Sequence, residues 1–270
     1  MLVPPPGPPA ADVVVMESTY GDRFHPPTSD DELADVVVRT IGRGGVVLIP
    51  AFAVDRTEVV LMALKRLVAA GRIPSVPVYV DSPMALRALK VYQTAVDVRE
   101  PDVRPDVTLA ERAFDPGDLR EISSSQESMS INQPDHPCII ISASGMATGG
   151  RIVHHLKFLL PNPRNSVVLV GYQAVGTRGR DLAEGASQLK MHGQYVRVKA
   201  EVLTVQGLSV HADADELMAW LGSMPSPPSA VYVVHGEPAA SAALAHRIGT
   251  ELEWLAVVAR DEEIVSLESI

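Results

Sequence analysis

The sequence predicts an α/β fold with a largely parallel central sheet, and two observations indicate this. Short runs of Val, Ile and Leu alternate with segments of helical length along most of the chain, and Gly or Pro residues separate many of them. Strands that alternate with helices are typical of β-α-β units, whose parallel strands are joined through helices. The hydrophobic content of 46% and the charged content of 21% fit a chain that folds around its own core.

Strands are indicated by short apolar runs that end at polar or turn-forming residues. The predicted strands, in chain order, are residues 11–16, 46–50, 76–81, 138–142, 166–172 and 230–235. Partial alternation of apolar and polar residues predicts extended structure over 195–205 as well. Two apolar runs in the C-terminal tail, residues 252–258 and 262–267, predict two further strands.

Helices are predicted in the segments between these strands. Ser29 and Glu32 have the spacing of a capping box, which predicts a helix from there to about Arg43. The other predicted helices are residues 55–70, 84–93, 151–160, 213–221 and 238–249. Residues 100–136 are less regular and are predicted to form loops around one or two short helices, with DPGDLREI (115–122) as a helix start.

The N-terminal segment MLVPPPGPPA does not resemble a signal peptide, and its prolines indicate an extended linker. No apolar run approaches the roughly 20 residues that span a bilayer. Cys138 is the only cysteine, which excludes an internal disulfide and a zinc site built from cysteines. These features predict a cytoplasmic protein with no membrane partner.

The net charge of −10 argues against a generally basic nucleic-acid-binding protein, but the charge is unevenly distributed. Residues 145–200 contain only two acidic residues, Asp181 and Glu184. The same segment contains eight basic residues: Arg151, Lys157, Arg164, Arg178, Arg180, Lys190, Arg197 and Lys199. A local basic face on an acidic protein suits a polyanion that enters one groove, and the alternative is a solvated surface with no partner.

Several histidines are candidates for chemistry, because ligands of parallel sheets collect where the strands end. His235 suits a metal ligand, since neutral imidazole binds zinc and the glycine beside it leaves room for substrate. His211 suits a general acid or a phosphate partner, because imidazole titrates near neutral pH. For either residue the alternative is a structural role, and Asp213 is suited to cap the following helix. His154 and His155 are adjacent on a predicted helix, so we expect one in solvent and the other packed.

The segment SASGMATGG (142–150) has the small residues of a phosphate-binding turn before a helix, a pattern that is also common without a ligand. Farther along the chain, Tyr172, Arg178 and Arg180 are suited to stack on a base and to pair with phosphates. These residues all fall in or near the basic stretch, so they are candidates for contacts with a polyanion.

Three short motifs and four longer segments follow one another in a distinctive order. The short motifs are E-S-T-Y-G at Glu17, S-V-H-A at His211 and V-H-G-E at His235. The longer segments are PAFAVDRTEVVL, VYVDSPMA, ISASGMATGGRIVHHL and GYQAVGTRGR. Over about residues 11–240 the chain resembles the β-CASP family of the metallo-β-lactamase superfamily, whose members include RNA-processing hydrolases. A histidine rather than a valine at position 235 is similar to the RNA-directed members.

The resemblance implies a β-CASP domain, a parallel sheet with helices on both faces, inserted in the C-terminal part of a metallo-β-lactamase αββα sandwich. The implied boundaries are a Pro-rich linker at 1–10, a residual metallo-β-lactamase strand at 11–21, the β-CASP domain at 22–195 and a C-terminal metallo-β-lactamase or RNA-specificity segment at 196–270. One family segment usually reads A-x-G-R-T, and here Asp55 replaces its glycine.

The resemblance further implies zinc-dependent hydrolysis of RNA phosphodiester bonds, with two zinc ions in the intact family site. Glu17 would orient His211, which would act as general acid or steady the scissile phosphate, and His235 would complete the shell of one zinc ion. The implied contacts with substrate phosphate or RNA are Ser144, Gly145, Arg56, Tyr172, Arg178 and Arg180. The added charge of Asp55 leaves the phosphate role of Arg56 open.

The larger departure from the family is at the N-terminus: members carry an H-x-H-x-D-H ligand segment, a further histidine and a G-D aspartate upstream of E-S-T-Y-G, and this sequence has no H-x-H. Each zinc ion in such a site needs three or more protein ligands, and the resemblance supplies only His235. We therefore expect a truncated ribonuclease that binds zinc weakly and hydrolyses RNA poorly or not at all by itself. The first strand and residues 195–270 would then present an uncovered apolar face, where a homodimer or a partner chain is expected.

Whether the chain is an enzyme stays open at this level. One alternative is a non-catalytic RNA-binding module that uses the basic stretch at 145–200. Another is a subunit that completes its site with a partner chain carrying H-x-H-x-D-H, and hydrolysis of a small phosphoester is a third. Endonuclease and exonuclease action both fit the motifs.

Overall fold

The computed structural model describes residues 1–25 and 30–266. The chain divides into two compact units: unit 1 consists of residues 1–3 and 26–210, and unit 2 of residues 4–25 and 211–270. In chain order unit 1 therefore interrupts unit 2, and each unit has a sheet and a core of its own. The sequence-based domain boundaries stay predictions.

The strands of the described residues include most of the predicted ones and two that were not predicted, Leu119–Glu121 and Gln188–Met191. They are β1 (Val13–Glu17), β2 (Val46–Pro50), β3 (Val78–Asp81), β4 (Leu119–Glu121), β5 (Cys138–Ser142), β6 (Ser166–Leu169), β7 (Gln188–Met191), β8 (Gln194–Arg197), β9 (Glu201–Thr204), β10 (Ala230–Val234) and β11 (Ala256–Val258). The extended segment predicted at 195–205 is divided between β8 and β9.

Helices lie between most of these strands, as predicted. They are α1 (Asp31–Gly42), α2 (Arg56–Ala69), α3 (Pro83–Asp97), α4 (Pro105–Thr108), α5 (Ser125–Ser130), α6 (Arg151–Leu159), α7 (Arg178–Ala183), α8 (Ala214–Gly222) and α9 (Pro238–Glu251). None of the helices in the described ranges is both long enough and apolar enough to cross a membrane. The predicted capping residue of α1, Ser29, lies outside the described residues.

Unit 1 is built on a six-stranded parallel sheet with the order β4-β3-β5-β2-β6-β9. Every residue of the central strands β2 and β5 is buried. One face of the sheet packs against α1, α2 and α3, and the other packs against α6, α7 and the β7–β8 hairpin. A parallel sheet is normally covered on both faces, so the predicted α/β class with helices on both faces is confirmed.

The prediction of a helix start in DPGDLREI is wrong. Leu119–Glu121 instead forms β4, which pairs in parallel with β3 at the edge of the sheet. The Asp115 carboxylate accepts the N–H of Gly117 at 2.8 Å, and Gly117 has a positive φ of 117° that no helix contains. The Asp-Pro-Gly sequence therefore forms a turn that leads into a strand.

Unit 2 contains a three-stranded parallel sheet with the order β1-β10-β11. Helices α8 and α9 cover one face, where Val14, Val231 and Leu244 are buried. On the opposite face Val15 is 66% exposed, and Leu255, just before β11, is 61% exposed. This face of the sheet therefore has exposed apolar side chains, as expected for the first strand and the C-terminal tail. The expectation is wrong for residues 195–205, because β9 pairs with β6 in the sheet of unit 1.

Two predictions for the C-terminal part of unit 2 are wrong. Helix α9 does not end at Gly249 but continues to Glu251, because a glycine near a helix end is tolerated when the helix is anchored by buried residues such as Ile248. Of the two predicted tail strands, only the first is present, as β11, in the residues described up to Ser266. Within the described part of the second run, residues 262–266, Ile264 is 96% exposed and Val265 is 41% exposed.

Candidate active site

Glu17 and His211 form the centre of a polar cluster in unit 2. Glu17 is the last residue of β1, and its Oε1 lies 3.2 Å from Nδ1 of His211. The backbone N–H of Thr19 donates to Oε2 of the same carboxylate at 2.8 Å. The two side chains are 30% and 31% exposed, so the pair is held by protein and still accessible to solvent. The structure thus brings together two residues that the sequence assigned to one site.

The Glu17 carboxylate is held in its ionised form. Burial by itself raises its pKa, but the hydrogen bonds with His211 and Thr19 outweigh burial, and the pKa falls to about 2. An ionised carboxylate beside Nδ1 fixes the orientation of the imidazole and leaves Nε2 as the ring nitrogen that does not face Glu17. The geometry therefore fits a positioning role for Glu17 and proton exchange at His211.

His235 lies beside His211 at the end of β10. It has a positive φ of 65°, and its Nδ1 lies 3.2 Å from Oγ1 of Thr19. The ring centroids of His211 and His235 are 6.1 Å apart, with 30° between the ring planes. Gly236 allows this approach, because a Cβ there would lie 2.4 Å from Oγ and 2.5 Å from the carbonyl oxygen of Ser18. The ends of β1 and β10 have to meet this closely for the two histidines to share a site.

Two aromatic rings beside the cluster were not predicted as site residues. The ring centroid of Tyr20 lies 6.1 Å from that of His211 and 5.2 Å from that of His25, edge-on in both cases. Nε2 of His25 lies 2.8 Å from the carbonyl oxygen of His211. Tyr20 belongs to the E-S-T-Y-G motif, which was a signal for its position, whereas no pattern around His25 indicated a role.

Asp213 connects the cluster to α8. Its carboxylate accepts the N–H of Glu216 in a capping box, which confirms the predicted cap, and it also accepts the N–H of His25 at 2.8 Å. The cap fixes the direction in which the chain leaves His211, only two residues upstream. Asp213 therefore supports the position of the site without reaching its open side.

The donors in this cluster do not make a zinc site. Among residues 1–25 and 30–266, no group of three or more His, Cys, Asp or Glu side chains is placed to hold a metal ion. A catalytic zinc ion needs three protein ligands. His235 offers one imidazole, and its Nδ1 faces a threonine hydroxyl. The described residues therefore supply fewer grouped ligands than a catalytic zinc ion needs.

Ser144 and Gly145 lie in unit 1, in the loop between β5 and α6. The Oγ of Ser144 accepts the N–H of Thr148 at 3.1 Å, and Gly145 packs on Phe52, because a Cβ there would lie 2.7 Å from its ring. Ser144 and Phe52 line a pocket of about 500 Å³ together with Arg87. The small residues Ser144 and Gly145 thus leave the backbone accessible beside a pocket that Arg87 also lines. Their contact with phosphate stays a prediction.

Both arginines of the GYQAVGTRGR segment contact the protein itself. Arg178 donates from Nε to the carbonyl oxygen of Lys190 at 2.9 Å and from Nη1 to two carbonyl oxygens of the β5–α6 loop. Arg180 donates from Nε to Glu184 at 2.5 Å, and Tyr172 is half-buried. Arg178 therefore connects that loop to β7, and the RNA contacts of all three residues stay predictions.

Arg56 lies inside unit 1. Its side chain is 1% exposed and donates from Nη1 to the carbonyl oxygen of Val170 at 2.9 Å. The preceding residue, Asp55, has a φ of 62°, and the N–H of Arg56 donates across it to the carbonyl of Val54, which makes a γ-turn. This backbone explains why the related segments have glycine here. A contact between Arg56 and phosphate would require the side chain to leave its buried position.

A second carboxylate–histidine pair, in unit 1, was not predicted. Asp81, at the end of β3, is fully buried, and its Oδ2 lies 2.7 Å from Nε2 of His155, which is also fully buried. Arg151 and the hydroxyl of Ser128 donate to the same carboxylate, each at 2.5 Å. Burial raises the pKa of Asp81, but these hydrogen bonds outweigh it and hold the pKa below its ordinary value. His154 is exposed, as predicted for one of the two adjacent histidines.

Two family models match the chain. The Beta-Casp domain matches residues 57–182, and a second model, described as Zn-dependent metallo-hydrolase RNA specificity domain, matches residues 195–259. The first match lies within unit 1, and the second includes both His211 and His235.

The chain is also similar to several curated proteins. Ribonuclease TTHA0252 of Thermus thermophilus is 38% identical over 239 residues, which cover 88% of this chain and 54% of that protein. An RNase J-like protein of Methanocaldococcus jannaschii is 34% identical over 230 residues, covering 84% and 52%. Transcription termination factor FttA of Methanosarcina mazei is 34% identical over 255 residues, covering 91% and 40%. The chain spans about half the length of these relatives, or less.

Proposed function

Since the chain belongs to the β-CASP family of the metallo-β-lactamase superfamily, we propose that it acts in RNA processing through hydrolysis of phosphodiester bonds. The observation that carries this proposal is the exposed Glu17–His211 pair, with His235 beside it. The names of the relatives, which include a ribonuclease and an RNase J-like protein, support RNA as the substrate. Because the chain spans about half their length, the activity of a complete protein is part of the proposal.

In this proposal His211 exchanges a proton with the phosphodiester. When Nε2 is protonated, it donates to the leaving oxygen or to a non-bridging oxygen of the scissile phosphate. The Glu17 carboxylate stabilises the imidazolium through Nδ1, and with a pKa of about 2 it is ionised throughout the physiological pH range. Glu17 is therefore a positioning residue, and His211 is the residue expected to contact substrate.

We propose His235 as one zinc ligand of the complete family site, and weak zinc binding by this chain alone. The second family model names a zinc-dependent hydrolase, which supports zinc as the cofactor of that site. The described residues contain no group of three donors placed to hold a metal ion, so further ligands have to come from another segment or another chain. The loop with Ser144 and Gly145, together with Tyr172, Arg178 and Arg180, is proposed to contact RNA.

A second candidate function is that of a subunit completed by a partner chain, and the open face of unit 2 favours it. That face carries the exposed side chains of Val15 and Leu255 on a parallel sheet, which is normally covered on both sides. A second copy of the chain or a partner with the missing zinc ligands would cover it. A non-catalytic RNA-binding module is the remaining alternative.

The test is hydrolysis of a labelled RNA by the purified protein with zinc, alone and with an added polypeptide. That polypeptide is the portion of Ribonuclease TTHA0252 that this chain does not match. We expect little hydrolysis by the chain alone and zinc-dependent hydrolysis by the mixture, which the variant His211→Ala lowers about 100-fold or more. The matched control is His246→Ala, which removes an exposed histidine from α9 and should leave the rate unchanged.

Other outcomes separate the candidates. Rapid turnover by the chain alone would refute weak zinc binding. RNA binding that resists a chelator, with no hydrolysis under any condition, would favour the non-catalytic module. A rate that His211→Ala leaves intact would reject the proposed role of this histidine.

A further inference from the structure

The β7–β8 hairpin of unit 1 is anchored through one face and exposed on the other. Its strands pair antiparallel, with Leu189 opposite Val196. These two residues and Met191 are buried in the core beneath the hairpin. Because side chains alternate across a strand, the residues between them point outward. The outward residues, all exposed, are Gln188, Lys190, Tyr195 and Arg197.

An aromatic ring lies between two cations on this outward face. Tyr195 is 66% exposed, and Lys190 lies directly opposite it in the register of the hairpin. Arg197 lies two residues farther along β8 on the same face, within reach of the ring's other side. Every nucleobase has a face that stacks on an aromatic ring, and flanking cations pair with the phosphates of the same strand.

The hairpin carries no negative charge that would compete for these cations. Residues 186–200 contain Lys190, Arg197 and Lys199 but no Asp or Glu. The flanking carboxylates, Glu184 and Glu201, form ion pairs with arginines outside the hairpin. The cations are therefore available to an external anion, although the protein as a whole is acidic.

The turn of the hairpin leads to a hollow of about 380 Å³ in unit 1. His192, in the turn, and His154 of α6 line it, and their ring centroids lie 4.5 Å apart. The rest of the lining includes Arg151, Arg178 and the backbone of the β5–α6 loop. The turn of the hairpin thus borders a recess of the size that accepts part of a small ligand.

We propose that the outward face of the β7–β8 hairpin binds single-stranded RNA, with a base stacked on Tyr195 and neighbouring phosphates paired with Lys190 and Arg197. The inference rests on the proposed function for its substrate class, and it adds a strand-holding surface made of residues other than the Glu17–His211 cluster. Stacking and phosphate pairing do not read the edges of bases, so this surface tolerates any RNA sequence.

The test is the binding of a fluorescein-labelled oligoadenylate, followed by fluorescence anisotropy in a buffer with a chelator. Tyr195→Ala weakens binding about tenfold, whereas Tyr195→Phe, which keeps the stacking ring, binds like the wild type. Lys190→Ala and Arg197→Ala each lower the slope of log affinity against log salt by about 0.7. The matched control is Lys90→Ala, which removes an exposed lysine from α3 and leaves the slope unchanged.

An abasic oligonucleotide of the same length isolates the stacking contact. With this strand Tyr195→Ala and the wild type bind equally, because no base is present to stack. The inference is overturned if Tyr195→Ala binds oligoadenylate like the wild type, or if it loses as much affinity for the abasic strand. Because the chelator allows binding to be measured without hydrolysis, the two proposals fail separately. If binding depends on Tyr195 but no condition gives hydrolysis, only the proposed hydrolase activity is rejected. If RNA is hydrolysed but Tyr195→Ala binds it like the wild type, only the proposed hairpin surface is rejected.

Discussion

Each unit of the molecule contains a carboxylate paired with a histidine, and the two pairs differ in burial. In unit 1, Asp81 and His155 are fully buried, with Oδ2 and Nε2 2.7 Å apart. In unit 2, Glu17 and His211 are about a third exposed, with Oε1 and Nδ1 3.2 Å apart. Both members of the pair in unit 1 are enclosed by protein, although Asp81 borders the pocket that Ser144 and Phe52 line, whereas solvent reaches both members of the pair in unit 2.

The surroundings of the two carboxylates sharpen this difference. Asp81 also accepts from Arg151 and Ser128, so both its oxygens are used to join β3 to two helices. Glu17 accepts from Thr19 in its own motif, and its histidine remains accessible. A carboxylate–histidine pair therefore does not by itself indicate catalysis. Exposure does not decide it either, because unit 1 also has an exposed pair of neighbouring residues, Asp135 and His136.

The largest expected effect is that of Asp81→Ala. The change leaves buried donors of His155 and Arg151 without their acceptor, and breaking a buried charged network costs about 3–5 kcal/mol of unfolding free energy. The matched change Glu17→Ala should cost less than about 1 kcal/mol, because its pair is partly solvated. Urea unfolding followed by far-ultraviolet circular dichroism measures both, and equal costs would break the comparison.

A pH-dependent effect is expected from Glu58, another buried carboxylate of unit 1. It is fully buried, and burial together with repulsion from Asp55 outweighs the backbone N–H groups of Glu58 and Asp55 and raises its pKa to about 7. The folded state therefore holds a proton that the unfolded state releases near pH 4.5, so stability falls as the pH rises from about 4.5 to about 7.

The variant Glu58→Gln removes this dependence. It should match the wild type below about pH 4.5 and exceed its unfolding free energy at pH 8 by up to about 3 kcal/mol. Glu111→Gln, at an exposed position of the same unit, is the control. Parallel stability curves for Glu58→Gln and the wild type between pH 4.5 and 8 would show that Glu58 is ionised inside the fold.

The smallest expected effect compares one strand valine from each unit. Val80 of β3 is 0% exposed, and Val80→Ala should cost about 2 kcal/mol of unfolding free energy. Val15 of β1 is 66% exposed, and Val15→Ala should change it by no more than about 0.5 kcal/mol. If thermal or urea unfolding gives the same loss of unfolding free energy for both variants, the open face of unit 2 is covered in solution. In that case a dependence of the Val15→Ala effect on protein concentration would show that a second copy of the chain covers it.

The central strands could be predicted from the sequence because each of their residues is buried. VVLIP and CIIIS are continuous apolar runs, which is what a strand covered on both faces requires. β4 was missed because it is short and has one apolar residue, and its pairing with β3 joins segments about 40 residues apart. A short edge strand of this kind is stabilised by pairing with the neighbouring strand rather than by its own sequence.

The same reasoning explains which site residues were found. Glu17, His211 and His235 each stand in a recognisable motif, so the sequence indicated them together. Asp81 and His155 lie 74 residues apart, and only the fold brings their side chains into contact. The burial of Arg56 is likewise a tertiary property, since nothing in its own segment distinguishes an arginine under a loop from one on the surface.

The contact of Gly236 with Ser18 has a consequence for genetic screens of this protein. In a saturation library at position 236 every residue other than glycine would force the two strand ends apart, because the nearest atoms include backbone of the neighbouring strand. Selection for a folded protein would therefore retain glycine at this position even in relatives that have lost catalytic activity. An inactive variant with a change at position 236 therefore indicates that the ends of β1 and β10 no longer pack together. Conversely, an invariant glycine at this position does not show that His235 beside it has a catalytic role.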